Sequence, residues 1–159
     1  MRKLFMRKLF LCLSLLALLA VKPVAAKDLV QAAETSATFK VFLAALQTAG
    51  FDQTLKNSGP FTVFAPTDEA FGKLPEGTWE AITNDKVKLS SVLAYHVIPG
   101  KVLVAEVKPG KTKTVEGREI MLKSDNGKIT VNDANVTESD IEADNGVIHA
   151  IDKVLLPPQ

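Results

Sequence analysis

Few side chains in this 159-residue chain could do acid–base or metal chemistry, since only two are histidines, His96 and His149. Tyr95 precedes His96, and the pair stands just before a chain break at Pro99-Gly100. A histidine that ends a helix can donate to the last carbonyls, and when protonated it meets the negative end of the helix dipole. A packed tyrosine beside it reads first as a structural cap and second as a recognition pair. His149 and Asp152 invite a metal or proton-transfer reading, but a spacing of three in a strand sends their side chains to opposite faces. A zinc site would also need a third ligand, for which only His96 and scattered carboxylates remain. His149 is therefore expected to be a buried histidine bonded to backbone. Ser90-Ser91 fall on the exposed side of a presumed helix, and Thr67 with Asp68 suits a helix cap. Asn135-Val-Thr137 matches a glycosylation acceptor, which matters only in a eukaryotic secretory route. There is no G-x-S-x-G elbow, H-E-x-x-H pair or phosphate-cradling glycine loop. The chain carries no catalytic constellation and is read as no enzyme, with no cofactor and no metal.

The elements that must position these residues are legible from spacing. Phe61-Thr-Val-Phe-Ala-Pro66 is an apolar strand running into a helix capped by Thr67, with Asp68 and Glu69 in its first turn. Upstream, Asp28 can cap a short helix carrying Leu29, Ala32 and Ala33. Phe39, Phe42, Leu43 and Leu46 then recur at helical spacing until Gly50, and Asn57-Ser-Gly-Pro60 breaks the chain. Pro75-Glu-Gly77 opens a short helix containing Trp79 and Ile82. After Asn84-Asp85, the residues Val87, Leu89, Val92 and Leu93 draw an apolar face as far as Tyr95. The second half changes period. Lys101 to Val107 is strand-like, Val115-Glu-Gly-Arg118 and Asp125-Asn-Gly127 read as hairpin turns, and Asn145-Gly146 leads into a last apolar strand. Helices followed by a run of strands predict an α+β fold.

Residues 1–26 read as a cleaved signal peptide. Arg2, Lys3, Arg7 and Lys8 precede an apolar run, Leu9 to Val21, and Val24-Ala-Ala26 supplies small residues before Lys27. The run is shorter than the roughly 20 residues of a spanning helix, so no membrane anchor is expected after cleavage. Cys12 lies mid-run, follows Leu11 and does not suit lipidation. The full chain has 19 Lys+Arg and 18 Asp+Glu, and five basic residues leave with the leader, so residues 27–159 carry 14 − 18 = −4. That balance argues against nucleic acid or an anionic membrane as partner. Without Cys12 the domain has no cysteine and so no disulfide or thiolate chemistry. Its 133 residues suffice for a single domain that buries roughly two thirds of its chain surface.

Three segments in order, Phe61–Phe71, Leu93-Ala-Tyr-His-Val-Ile-Pro-Gly100 and Asn145–Pro158, resemble the two long motifs and the intervening Tyr-His motif of fasciclin-type (FAS1) domains. The resemblance spans Lys27 to Pro158. It implies a wedge-shaped, twisted β-sandwich with several helices packed across its N-terminal half. It further implies an exported, secreted or periplasmic module for cell adhesion or matrix binding, whose partner is a protein or a surface polymer. Tyr95 and His96 are the positions matching the family's adhesion motif. Asp68 stands where the family often has Asn, and both residues serve a helix start. Some family members bind carotenoids, so the alternative is a carrier of an apolar small molecule, held where Phe39, Phe42, Val92, Leu93, Tyr95 and Ile98 meet.

Overall fold

The computed structural model describes residues 27–158; the leader read at 1–26, with Cys12, lies outside the described residues. Six helices precede most of the sheet: α1 (Leu29–Glu34), α2 (Lys40–Ala49), α3 (Phe51–Asn57), α4 (Asp68–Gly72), α5 (Thr78–Thr83) and α6 (Lys86–Tyr95). The strands are β1 (Phe61–Pro66), β2 (Val97–Pro99), β3 (Gly110–Lys113), β4 (Glu119–Asp125), β5 (Lys128–Val131), β6 (Ala134–Ala143) and β7 (Gly146–Ile151). The α+β expectation holds.

The helix starts follow the capping logic. Asp28 and Gln31 form a reciprocal capping box on α1. Thr67 accepts from Ala70 N–H at the start of α4, and Asp85 accepts from Val87 and Lys88 on α6. Helix α2 has no cap of its own. Asp68, 27 residues further on, supplies one by accepting from Val41 N–H at 2.9 Å. Helix α3 was not legible in the sequence: Gly50, in a left-handed conformation at φ 70°, ends α2 and at once begins α3.

The strands form one seven-stranded sheet in the order β2-β1-β7-β6-β5-β4-β3, rather than two stacked sheets. Every neighbouring pair is antiparallel except β1 and β7, which run parallel over six rungs from Phe61↔Gly146 to Pro66↔Ile151. Two register shifts in β6, around Glu138, bend the sheet. Val115 N–H then donates to Val97 C=O at 2.8 Å, so the two ends of the sheet meet and the expected sandwich is a nearly closed barrel.

Side-chain alternation along the central strands makes two cores. Val63, Ala65, Ile148 and Ala150 face the helices and pack with Leu29, Phe39, Phe42, Leu46, Leu89 and Leu93. Phe64 and Ile151 face the barrel interior with Tyr95, Ile98, Ile120, Leu122, Val131 and Leu155. Asn145 joins the layers. Its side chain accepts from Leu29 N–H at 2.9 Å and donates to Leu55 C=O, while its carbonyl accepts from Phe61 N–H. Gly146 follows because β1 leaves no room there: a Cβ would lie 1.9 Å from the Phe61 oxygen.

The segment Lys101–Val107 is not a strand. It holds a 3₁₀ turn, Val104–Glu106, because its amides are taken by side chains instead of a ladder. Val102 N–H donates to Thr62, Leu103 N–H to Glu106 and Val104 N–H to Asp140. Among the described residues no helix is long and apolar enough to cross a membrane.

Candidate functional site

Helix α6 ends at Tyr95 with His96 as its C-cap, as the chain break at Pro99-Gly100 predicts. Both side chains point inward, with Tyr95 3% and His96 1% exposed. The Tyr95 hydroxyl donates to Glu119 C=O at 3.3 Å and accepts from the Asn132 amide at 3.2 Å. It thereby ties the helical layer to the β4 and β5 side of the barrel. His96 Nδ1–H donates to Val92 C=O at 2.6 Å, which leaves Nε2 as the acceptor for Leu155 N–H at 2.9 Å. Phe64 N–H reaches the His96 carbonyl at 2.8 Å. Burial drives the His96 pKa down to about 4, against the pull of the Val92 carbonyl. The ring is thus neutral near pH 7, and the dipole interaction expected of an imidazolium at this helix end is not made.

His149 is equally enclosed, at 1% exposure. Its Nε2–H donates to Val102 C=O at 2.8 Å and its Nδ1 accepts from Asp140 N–H at 3.2 Å. The ring pins the 101–107 segment against the bend in β6. Burial lowers its pKa, with the Val102 carbonyl and the Asp140 carboxylate pulling the other way. Asp152 lies apart from it and accepts from the main chain and side chain of Asn135. The amide of the glycosylation-like Asn135 is therefore engaged within the fold. No group of three or more His, Cys, Asp or Glu that could hold a metal occurs among the described residues. His149 with Asp152 does not form a shared ligand set.

A groove of about 530 Å³ lies between α5, α6 and the extended segment after β7. Ala81, Ile82, Val87 and Val92 line one side, Leu156, Pro157 and Pro158 the other, and Ser91 and Arg118 also border it. Val87 is 76% exposed and Leu156 42%, two of the three large apolar side chains exposed among the described residues. The spacing that put Val87 on the buried face of α6 is corrected here. The helix turns Leu89, Val92, Leu93 and Tyr95 inward and leaves Val87 at its rim. A second, shallower hollow of about 340 Å³ lies on the outer side of α2 beside Trp79 and Thr83. The six residues read as a possible ligand cavity are buried, each at 5% exposure or less, and are divided between the two core clusters. Of the six, only Val92 also borders the groove.

Sequence reasoning missed the groove. Its signal was present in Leu155-Leu-Pro-Pro158, where two prolines forbid a helix and limit ladder pairing while an apolar side chain stays at the surface.

The family model described as Fasciclin domain matches residues 37–157. The chain belongs to the fasciclin family. Protein sll1483 of Synechocystis is 44% identical over 135 residues, covering 84% of this chain and 75% of that protein. Human periostin is 36% identical over 140 residues, which is 86% of this chain but 17% of periostin. Immunogenic protein MPB70 of Mycobacterium bovis is 36% identical over 102 residues, 64% of this chain and 52% of MPB70. A solved FAS1 domain pair from the insect cell adhesion molecule Fasciclin I superposes with a TM-score of 0.64 at 21% identity. The match covers 82% of this chain and 51% of that one, and it shows the shared fold. The fasciclin chain thus spans three quarters of the length of sll1483 but only 17% of periostin.

Proposed function

We propose that this fasciclin domain is a non-enzymatic interaction module that works outside the cytoplasm, with residues 1–26 as its cleaved leader. Its partner is a protein that seats an apolar side chain in the groove between α5, α6 and the 154–158 segment. One observation carries this reading: two large exposed apolar side chains, Val87 and Leu156, border the same groove. Soluble domains rarely cluster such residues without a use for them. The match to a cell adhesion molecule in fold supports the class of function. Tyr95 and His96 serve this surface from beneath as positioning residues, since their burial keeps them from direct contact with a partner. His96 holds Leu155, next to Leu156 on the groove wall, and Tyr95 anchors the end of α6.

The test is attachment of the host's own cells to a surface coated with the domain. Val87→Glu and Leu156→Glu, each verified as folded, are expected to abolish attachment that the wild-type coat supports. Undiminished attachment to both variants would refute the groove as the contact surface. A second reading rests on the groove's volume, which lies within the roughly 300–1,000 Å³ of small-ligand sites. An apolar small molecule such as a carotenoid would then occupy it. Native mass spectrometry of protein taken from its host separates the two, since a carrier would show a discrete added mass that denaturation removes.

A further inference from the structure

The segment Val154–Pro158 is a strap with two faces and few attachments. Inward, Leu155 is 2% exposed and packs in the barrel cluster with Phe64, Tyr95, Ile98, Ile120 and Ile151. Outward, Leu156, Pro157 and Pro158 form one wall of the groove. Strand β7 has ended at Ile151, and among the described residues no backbone–backbone hydrogen bond holds 153–158. Beside the exposed Lys153–Asp133 ion pair, two polar contacts hold the strap: Leu155 N–H to His96 Nε2, and the Arg118 guanidinium to Pro158 C=O.

The first contact depends on a group that can take a proton. His96 Nδ1 is committed to Val92 C=O, so an added proton must go to Nε2, where Leu155 already presents an N–H. Turning the ring over does not help, because an imidazolium donates from both nitrogens. Nothing around the ring compensates. Helix α6 offers the Val92 carbonyl, β1 the Phe64 main chain, α2 the Phe42 ring at 6.1 Å, and the strap the Leu155 N–H. The charged residues on these elements, Lys86 and Lys88 on α6, Lys40 on α2 and Lys153 before the strap, are exposed, and Asp152 is half-buried against Asn135. Arg118 meets the strap at its far end. The Tyr95 hydroxyl points away, toward Glu119 and Asn132.

We propose that His96 is an acid-operated latch: a proton on Nε2 sets N–H against N–H at Leu155, and the strap swings off, uncovering the barrel cluster and removing one wall of the groove. The strap yields before the rest because β7 is laddered on both sides, to β1 and to β6, whereas the strap is held by buried Leu155, partly buried Val154 and two hydrogen bonds. The closed form binds fewer protons than the open form, so acid favours opening. With a closed-state pKa of about 4 and the ordinary 6.5 when open, the open population rises about 120-fold between pH 7 and pH 4 and levels off at about 240-fold below. The latch stands whether or not the groove takes a partner.

Residue-resolved amide exchange on the protein, corrected for the intrinsic pH dependence of exchange, is the test. The imidazole resonances of His96 and His149 are followed in the same samples. Protection at Leu155 is expected to fall roughly 100-fold or more with the midpoint of His96, while Val63 and Ile148 in the central ladder stay protected. His96→Gln can donate to Val92 and accept from Leu155 without titrating, so in that variant Leu155 protection should not change with pH. Three wild-type results would each overturn the latch, and they need no variant to fold. These are loss of protection at Leu155 and Ile148 together, constant protection while His96 titrates, or a midpoint that follows His149.

Discussion

Replacing Gly146 by alanine tests whether the central parallel pair is held by close backbone approach. A Cβ at this position would lie 1.9 Å from the Phe61 oxygen, 2.9 Å from its carbonyl carbon and 3.0 Å from its nitrogen. Ordinary contact begins near 3.4 Å, so β1 would have to retreat by about 1.5 Å from a ladder whose usual spacing is about 4.8 Å. The residue also sits at φ 155°, which costs a side-chain-bearing residue about 1–3 kcal/mol. Retreat breaks the adjoining Phe61 N–H bond to Asn145 C=O, and an orphaned buried donor costs about 1–3 kcal/mol more. The sum is about 2–6 kcal/mol, a large share of the roughly 5–15 kcal/mol that holds a domain. At about 4 °C per kcal/mol for a domain of this size, Tm should fall by about 8–24 °C. Urea unfolding followed through Trp79, the lone tryptophan, measures the change directly. Gly50→Ala is the control. Its φ is 70° but nothing lies within 4 Å of the added Cβ, so only the left-handed strain of about 1–2 kcal/mol is at stake. Equal losses in the two variants would refute the close-approach argument.

Other outcomes follow from the same geometry. Tyr95→Phe removes the hydroxyl shared by Glu119 and Asn132 and should cost about 1–2 kcal/mol; Tyr95→Ala adds a core cavity and should cost about 3–5 kcal/mol, both read by urea titration. Asp68→Ala strips α2 of its borrowed cap and should lose about 1 kcal/mol, whereas Asp68→Asn keeps an oxygen for Val41 and should lose less. Stability should fall with acid already above the carboxylate range. The folded His96 pKa of about 4 lies below the ordinary 6.5, so its contribution is complete above pH 6.5 and is lost as pH drops toward 4. The loss is at most about 3 kcal/mol, and chemical denaturation at pH 7, 5.5 and 4.5 would contradict the assignment if stability were flat or rising.

Where the backbone's partners lie nearby, the fold was readable. Asn126 and Gly127, at φ 49° and 79°, make the tight turn that Asp125-Asn-Gly127 predicts, and the caps read at Asp28 and Thr67 both form. Lys101–Val107 misled because its β-branched residues suit a strand, while its amides are claimed by Thr62 and Asp140 from distant parts of the chain. Barrel closure had no local signal either, since it rests on the β1–β7 pairing and one bond between Val115 and Val97. At the site, the position of His96 at a helix end was legible. Its neutrality was not, because that depends on Leu155, 59 residues away, arriving with an N–H. Val87 read as core because spacing alone cannot say how far a helix is rotated about its axis.

The parallel neighbour of β1 is the last strand to be made. Strand β7 lies between β1 and β6, and Asn145 at its start meets Leu55, 90 residues earlier. On a ribosome the helical half therefore has no sheet to settle on until nearly the whole domain has emerged. The local meander β3 to β6 can form first, but loop closure between β1 and β7 must wait, and contacts of such long range fold slowly. A chain built in this order remains threadable until its final residues appear. That delay is compatible with the export proposed above for this domain.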